Sequence, residues 1–227
     1  MKGLEVFVGT SGWFYDWNEK RTLDWYIENS GLNAVELNAS FYRFPFPNQI
    51  KGWAKKGKSL VWAVKVSRLI THRYRFNEEA LRVWKDFKEL FKVLDECIAF
   101  YLFQLPPDFT AVEKAVRFSE KTELGKRFAL ELRNKKLLEG AFWKECPGKI
   151  TLVSLDSPEF QSKIFPGKTV YLRMHGRTSW YSHNYSLEEL QEIVGKILAL
   201  NPERVFIFFN NNHQMLANAR TMLTLWK

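Results

Sequence analysis

Eight short apolar runs recur along the chain, and each is followed by a stretch that can form a helix. The runs occupy residues 5–8, 34–37, 60–66, 98–105, 128–132, 150–155, 169–174 and 204–209. They are rich in Val, Phe, Leu and Tyr and only a few residues long, the pattern of strands buried on both faces. Strand followed by helix, eight times over, predicts an α/β protein whose parallel sheet closes into a (β/α)8 barrel. Such barrels place their chemistry where the strands end, so the residues closing each run are candidate site residues before any motif is considered.

At 227 residues the chain is near the lower end of what eight units need, so the loops must be short. No linker or low-complexity stretch interrupts the rhythm, and one domain over residues 1–227 is expected. Nineteen Phe and nine Trp supply an ample core. No apolar run approaches the length of a membrane span, and Met1-Lys2-Gly3-Leu4 leads straight into the first strand, so a cytoplasmic protein without a membrane role is expected. Cys97 and Cys146 lack the spacing of a metal site or a disulfide framework and are expected as reduced thiols. Abundant Lys and Glu with few Gln fit a heat-adapted protein.

Lys and Arg number 34 against 25 Asp and Glu, a net charge of +9. That surplus favours anionic partners, either a small molecule or nucleic acid. Many lysines nevertheless lie beside acids on helical stretches, as in Lys85-Asp86-Phe87-Lys88-Glu89, where a solvated face needs no partner.

Two helix starts are clear. Asn77-Glu78-Glu79 precedes Leu81, Trp84, Phe87, Phe91 and Leu94 at helical spacing, and Ser186-Leu187-Glu188-Glu189 is a capping box whose helix ends before Asn201-Pro202. Phe44-Pro45-Phe46-Pro47 reads as a stiff extended connection, its aromatics packed over the rim or lining a mouth. The sixth unit is the weakest, with Asp156-Ser157-Pro158 leading into only a short helical stretch.

Side chains two apart on a strand share a face. Glu36 with Asn38, Glu131 with Arg133, and Arg173 with His175 are such pairs, while Lys65 and Gln104 end their runs, and Asp156, Asn210 and Asn211 close or follow theirs. A charge inside an apolar strand is costly unless paired, so Glu36, Lys65, Glu131 and Arg173 are expected to meet in a polar layer. As a site, this layer assigns Lys65, Arg133, Arg173 and Arg177 to phosphate, Glu36 or Glu131 to a general base, and His175 or His72 to a general acid, with Asn38, Tyr42, Gln104, Asn210 and Asn211 contacting substrate. The same layer could instead be ion pairs that only hold the barrel. One divalent metal on Glu36, Glu131, Asp156 and His175 is the rival use of the acids, although four histidines without an H-x-H pair supply it poorly. Gly9-Thr10-Ser11-Gly12 is a second candidate anion cradle, without the lysine of a P-loop.

These residues fall in a recognisable order. Gly9-Thr10-Ser11-Gly12-Trp13 with Tyr15 and Trp17, Val35-Glu36-Leu37-Asn38, Phe41-Tyr42-Arg43, Lys65 with Ile70-Thr71-His72, Gln104-Leu105-Pro106-Pro107, Leu130-Glu131-Leu132-Arg133, Leu172-Arg173-Met174-His175-Gly176 and Phe209-Asn210-Asn211 before Asn218-Ala219 run from end to end. In this the chain resembles the DUF72, or YecE-like, family. The resemblance implies a TIM-barrel fold and carries no established activity. It also implies a glycine between the Asn pair and the last helix, where this chain has Asn212-His213-Gln214.

Three functions stay open on the sequence. One is an enzyme acting on a phosphate-bearing substrate, a nucleotide or a nucleic-acid phosphodiester, at the C-terminal mouth of the barrel. The second is a metal-dependent sugar isomerase or epimerase. The third is a non-catalytic module that binds nucleic acid or a protein.

Overall fold

The computed structural model describes residues 3–140 and 148–226. Strands β1 (Glu5–Thr10), β2 (Ala34–Leu37), β3 (Val61–Lys65), β4 (Ile98–Gln104), β5 (Phe128–Glu131), β6 (Thr151–Asp156), β7 (Thr169–Met174) and β8 (Arg204–Phe209) close into a parallel barrel in sequence order. The eight apolar runs are these eight strands, with ends shifted by two residues at most. Cys146 lies outside the described residues, and Cys97 carries no disulfide. Among the described residues no helix is long and apolar enough to cross a membrane.

The chain divides into two compact units. The first comprises the chain up to Glu36, Lys56–Val61 and the chain from Val153 onward. Here β8 pairs along its whole length with β1 and with β7, so that Thr10, Met174 and Phe209 end level with one another. Gly9 lets β1 approach β2 closely, because a Cβ at this position would lie 2.2 Å from the Ala34 carbonyl oxygen. Buried Tyr26 ties the two strands. Its hydroxyl donates to that oxygen at 2.8 Å and accepts from the Thr10 amide, and burial pushes the phenol up to about 12.

The predicted capping box is present in the same unit. Ser186 Oγ accepts from the Glu189 amide, and the Glu189 carboxylate accepts from the Ser186 amide, at the start of helix Leu187–Leu198. Leu190, Ile193, Val194 and Ile197 form its buried face. The sixth crossover corrects the expectation of a short helix. Leu155 and Lys163 instead exchange two backbone hydrogen bonds in an antiparallel bridge, and Ser154 Oγ accepts from the Phe165 amide, so the chain turns back through this bridge. In the loop after β8, Asn212 takes φ +55°. Asparagine tolerates that left-handed conformation better than most residues, so it stands where the resemblance implied glycine.

The second unit comprises Leu37–Lys55 and Trp62–Leu152. Asn77 Oδ1 caps helix Glu78–Phe91 at the Ala80 amide, as the pattern predicts, and Ala80, Trp84, Phe87 and Phe91 are buried. Phe103 stacks on Phe128 at 3.9 Å and meets Trp84, Phe76 and Phe118, an aromatic core. Below the start of β4, Asp95 accepts from Lys88 Nζ at 2.5 Å, Arg127 Nη2 at 2.7 Å and the Tyr101 hydroxyl at 2.6 Å. Although partial burial opposes it, these donors hold the Asp95 carboxyl well below its ordinary range.

Asp95→Ala is expected to cost about 2–3 kcal/mol of stability at neutral pH, as loss of hydrogen bonds to charged groups does. The folded protein holds this carboxyl ionised at pH values where the unfolded chain protonates it. Its contribution is therefore full above the ordinary carboxyl range and is lost as pH falls. Urea unfolding of wild type and variant should give curves that converge as the pH is lowered below about 4.

The helical charges largely face one another, as in Lys56–Asp24, Lys92–Glu89, Lys121–Glu78 and Lys196–Glu192, which accounts for many lysines without any partner molecule.

Candidate functional site

All strands run the same way, so Glu36, Lys65, Gln104, Glu131, Asp156, Arg173 and His175 belong to the C-terminal ends of their strands. Each compact unit holds its own polar cluster.

In the first unit the cluster is built on Glu36. Tyr171 and Arg173, two apart on β7, both reach it: the tyrosine hydroxyl donates to Oε2 at 2.6 Å, and the arginine donates from Nη2 to Oε1 at 2.7 Å and from Nε to Oε2 at 3.0 Å. Ser11 Oγ donates to Oε1 at 2.8 Å, and all four residues are buried. A carboxylate engaged by so many donors is suited to holding an arginine rather than to taking a proton, since every proton accepted would displace one of them. Glu36 thus stands as the anchor of Arg173, Tyr171 and Ser11. Tyr171 received no role from the sequence and Ser11 only a place in the Gly9 to Gly12 segment, although the two-residue spacing of Tyr171 and Arg173 is the signal that links those two.

Asp156 is similarly engaged. Tyr185 OH donates to it at 2.7 Å, the Ser162 amide at 2.8 Å, and Arg177 Nε at 3.2 Å. Arg177 also meets Glu192 at 2.8 Å and Glu189 at 3.7 Å. Three carboxylates around one guanidinium, which is driven to a higher pKa by hydrogen bonds to Asp156 and Glu192 despite its burial, leave it no charge for phosphate. Arg177 is therefore corrected from phosphate ligand to a tie between β6, the β7 loop and helix Leu187–Leu198.

His175 is buried, with its amide on the Asp156 carbonyl at 2.7 Å and its ring against Trp180 and Tyr181. Asn210 Nδ2 lies 3.4 Å from its Nδ1. Gly176 follows at φ +102° and donates its amide to Tyr185 OH. Asn211 is turned into the fold, where its Nδ2 donates to Asn218 Oδ1 and the His183 carbonyl and braces the loop. In the Gly9 to Gly12 segment the two central amides are already engaged within the fold. The Thr10 amide donates to Tyr26 OH and the Ser11 amide to the Phe209 carbonyl.

In the second unit Lys65 ends β3, buried, with Nζ 2.7 Å from Gln104 Oε1 and 4.0 Å above the Phe41 ring. Ser40 Oγ donates to the Lys65 carbonyl at 2.6 Å and seats the short helix Ala39–Tyr42 against the strand end. Half-buried Asn38 opens that helix. A π-turn, Leu69–Arg73, follows β3 and closes with the Tyr74 amide on the Leu69 carbonyl at 2.9 Å. It carries His72, whose Nδ1 is 2.8 Å from Thr71 Oγ1 and whose ring stands edge-on to Phe41 at 5.1 Å. Burial, and then the nearby Lys65, Arg75 and Arg68 against a single acid, Asp108, push His72 down to about 4. A lowered pKa favours the neutral ring, which can accept a proton, over the general acid that the sequence assigns to this position. Arg133, two residues past the end of β5, donates from Nε to Glu131 Oε1.

Among the described residues no three His, Cys, Asp or Glu side chains form a group that could hold a metal ion. The ligand set Glu36, Glu131, Asp156 and His175 is corrected accordingly.

Residues 7–227 match the family described as "Protein of unknown function DUF72". The fold is similar to a DUF72 family protein of Thermotoga maritima MSB8 (TM-score 0.82, 24% identity, 98% of this chain and 99% of that one covered). It is also similar to a DUF72 family protein of Enterococcus faecalis V583 (TM-score 0.80, 22% identity, 97% and 94% covered). A D-psicose 3-epimerase crystallised in the presence of D-fructose shares the fold at TM-score 0.54 and 12% identity, with 99% and 98% covered. No curated protein matches the sequence.

Proposed function

Because the chain belongs to the DUF72 family, whose description names no reaction, its activity must be read from its own side chains, and we propose an enzyme that hydrolyses a phosphoester at the end of β3. The observation that carries this reading is the placing of the His72 ring against Phe41, over which Lys65 Nζ lies at 4.0 Å, with burial and the cations Lys65, Arg75 and Arg68 favouring the neutral imidazole. Such surroundings draw in an anion and leave the ring able to accept a proton. In the tautomer that donates Nδ1–H to Thr71 Oγ1, the Nε2 lone pair takes the proton of an attacking water while Lys65 meets the charge of the phosphoryl oxygens. Attack forms the new P–O bond, and the ester oxygen leaves with the bonding electrons. Sugar epimerisation has fold likeness alone behind it.

His72→Gln is expected to lower kcat on phosphodiester substrates about a hundredfold. Lys65→Met should chiefly raise KM, and it should abolish any rise in melting temperature produced by phosphate. For wild type, kcat/KM should climb as pH rises through about 4, where His72 loses its proton, and then stay level to neutrality. Bis(p-nitrophenyl) phosphate and nucleotides serve as substrates. Turnover that His72→Gln leaves unchanged, or no turnover and no phosphate stabilisation of wild type, overturns the reading.

A further inference from the structure

Beside this site the second unit presents rings and cations that the hydrolytic chemistry does not use. In the segment between β2 and helix Pro47–Lys56, Phe44 packs on Phe87 and Pro45 is buried, which turns Tyr42 and Phe46 outward with 71% and 61% of their surface exposed. Phe46 is fixed from both sides. Its amide donates to Gln49 Oε1 at 2.9 Å, and its carbonyl accepts from the Gln49 amide. Arg43 lies over the Phe46 ring at 5.2 Å. Phe41 joins this segment to the π-turn, its ring 5.1 Å from Tyr42 and 5.1 Å from His72. The turn adds exposed Arg68 and Arg73, the latter over Tyr74. Among the described residues Arg43, Arg68 and Arg73 meet no carboxylate, unlike the lysines on the helices. Past Tyr74 a groove of about 340 Å³ continues between Arg75, Lys114, Arg117 and Lys121.

We propose that this strip binds single-stranded nucleic acid, with bases stacked on Tyr42 and Phe46 and the phosphates on Arg43, Arg68 and Arg73. Held aromatic rings exposed between unpaired arginines are a stacking platform on an electrostatic track. A duplex keeps its bases stacked inside and offers such rings nothing. The proposal deepens the hydrolase reading, since it names the polymer that carries the phosphodiester to Lys65 and His72.

Fluorescence anisotropy with a labelled oligothymidylate of about fifteen nucleotides tests it. Wild type should bind at low salt. Tyr42→Ala and Phe46→Ala should each weaken binding roughly tenfold, the size of a lost stacking contact. The double variant Arg43→Ala/Arg68→Ala should reduce the slope of log affinity against log salt by about 1.4, since each single-strand phosphate contact contributes about 0.7. The changed side chains are exposed, and unchanged melting temperatures will show that the fold is kept. Equal affinity for a duplex of the same length, or aromatic variants that bind like wild type, overturns the proposal. If the oligonucleotide does not bind while phosphate still stabilises wild type through Lys65, this inference fails and the hydrolase reading stands. If neither binds, both fall.

Discussion

Glu36→Gln is expected to lower the melting temperature by about 10 °C, because breaking a buried ion pair costs about 3–5 kcal/mol and each kcal/mol moves a domain of this size about 2–4 °C. The variant keeps the shape of the side chain and removes the charge that Arg173 faces. It also turns an NH2 toward a group of donors: the Ser11 hydroxyl, the Tyr171 hydroxyl and the guanidinium. Arg173→Met alone should be comparably destabilising, because the carboxylate then stays buried without its cation. The double variant Glu36→Met/Arg173→Met should recover most of the loss, since an apolar pair of similar volume removes both desolvated charges together. Thermal melts of the four proteins check this as a double-mutant cycle. A Glu36→Gln protein that melts like wild type would show a carboxylate poised for chemistry instead of for support.

Gly9→Ala is expected to cost about 3 kcal/mol or more, at the upper end of what overpacking does. The added methyl would lie 2.2 Å from the Ala34 oxygen and 2.6 Å from its carbonyl carbon, and neither atom is the movable tip of a flexible side chain. Moving β2 aside would also pull that oxygen from Tyr26, whose hydroxyl serves Thr10 as well. Gly12→Ala is the comparison. Its φ of +103° is unfavourable to alanine, but the nearest atom is a Tyr15 ring carbon at 3.7 Å, so only backbone strain of about 1–3 kcal/mol applies. Urea unfolding should rank wild type above Gly12→Ala and Gly12→Ala above Gly9→Ala. Equal stability of the two variants would remove the close approach as the reason for Gly9.

The strands were legible because a barrel buries both faces of its sheet, so each strand is an apolar run that needs no partner to be recognised. Helix Glu78–Phe91 and helix Leu187–Leu198 were legible for a local reason too: their caps, Asn77 and Ser186, act on amides three residues away. The candidate site was legible as a set of strand ends and not as a set of bonds. Ser11, Glu36 and Tyr171 come from three strands or loops, separated by 25 and 135 residues, and only the closed sheet places them together. The partners of Arg177 were hidden for the same reason, since Glu192 reaches it from a helix fifteen residues further along the chain. The lowered pKa of His72 was not legible because its largest cause is burial, which only the folded chain supplies. The crossover after β6 failed differently, its backbone pairing being a bridge that carries no helical period.

The π-turn has a consequence for comparing relatives. Its hydrogen-bonded ring is one residue larger than that of an α-helix, so the direction of His72 is set by how many residues lie between β3 and Tyr74. Losing one residue there would swing the imidazole about 100° around the turn axis, although nothing chemical at position 72 had changed. Surface connections ordinarily tolerate insertions and deletions, but this one is locked by count. In an alignment, a histidine in the same column beside a gap is therefore a different histidine in space, and loop length is the better criterion for which relatives share this site.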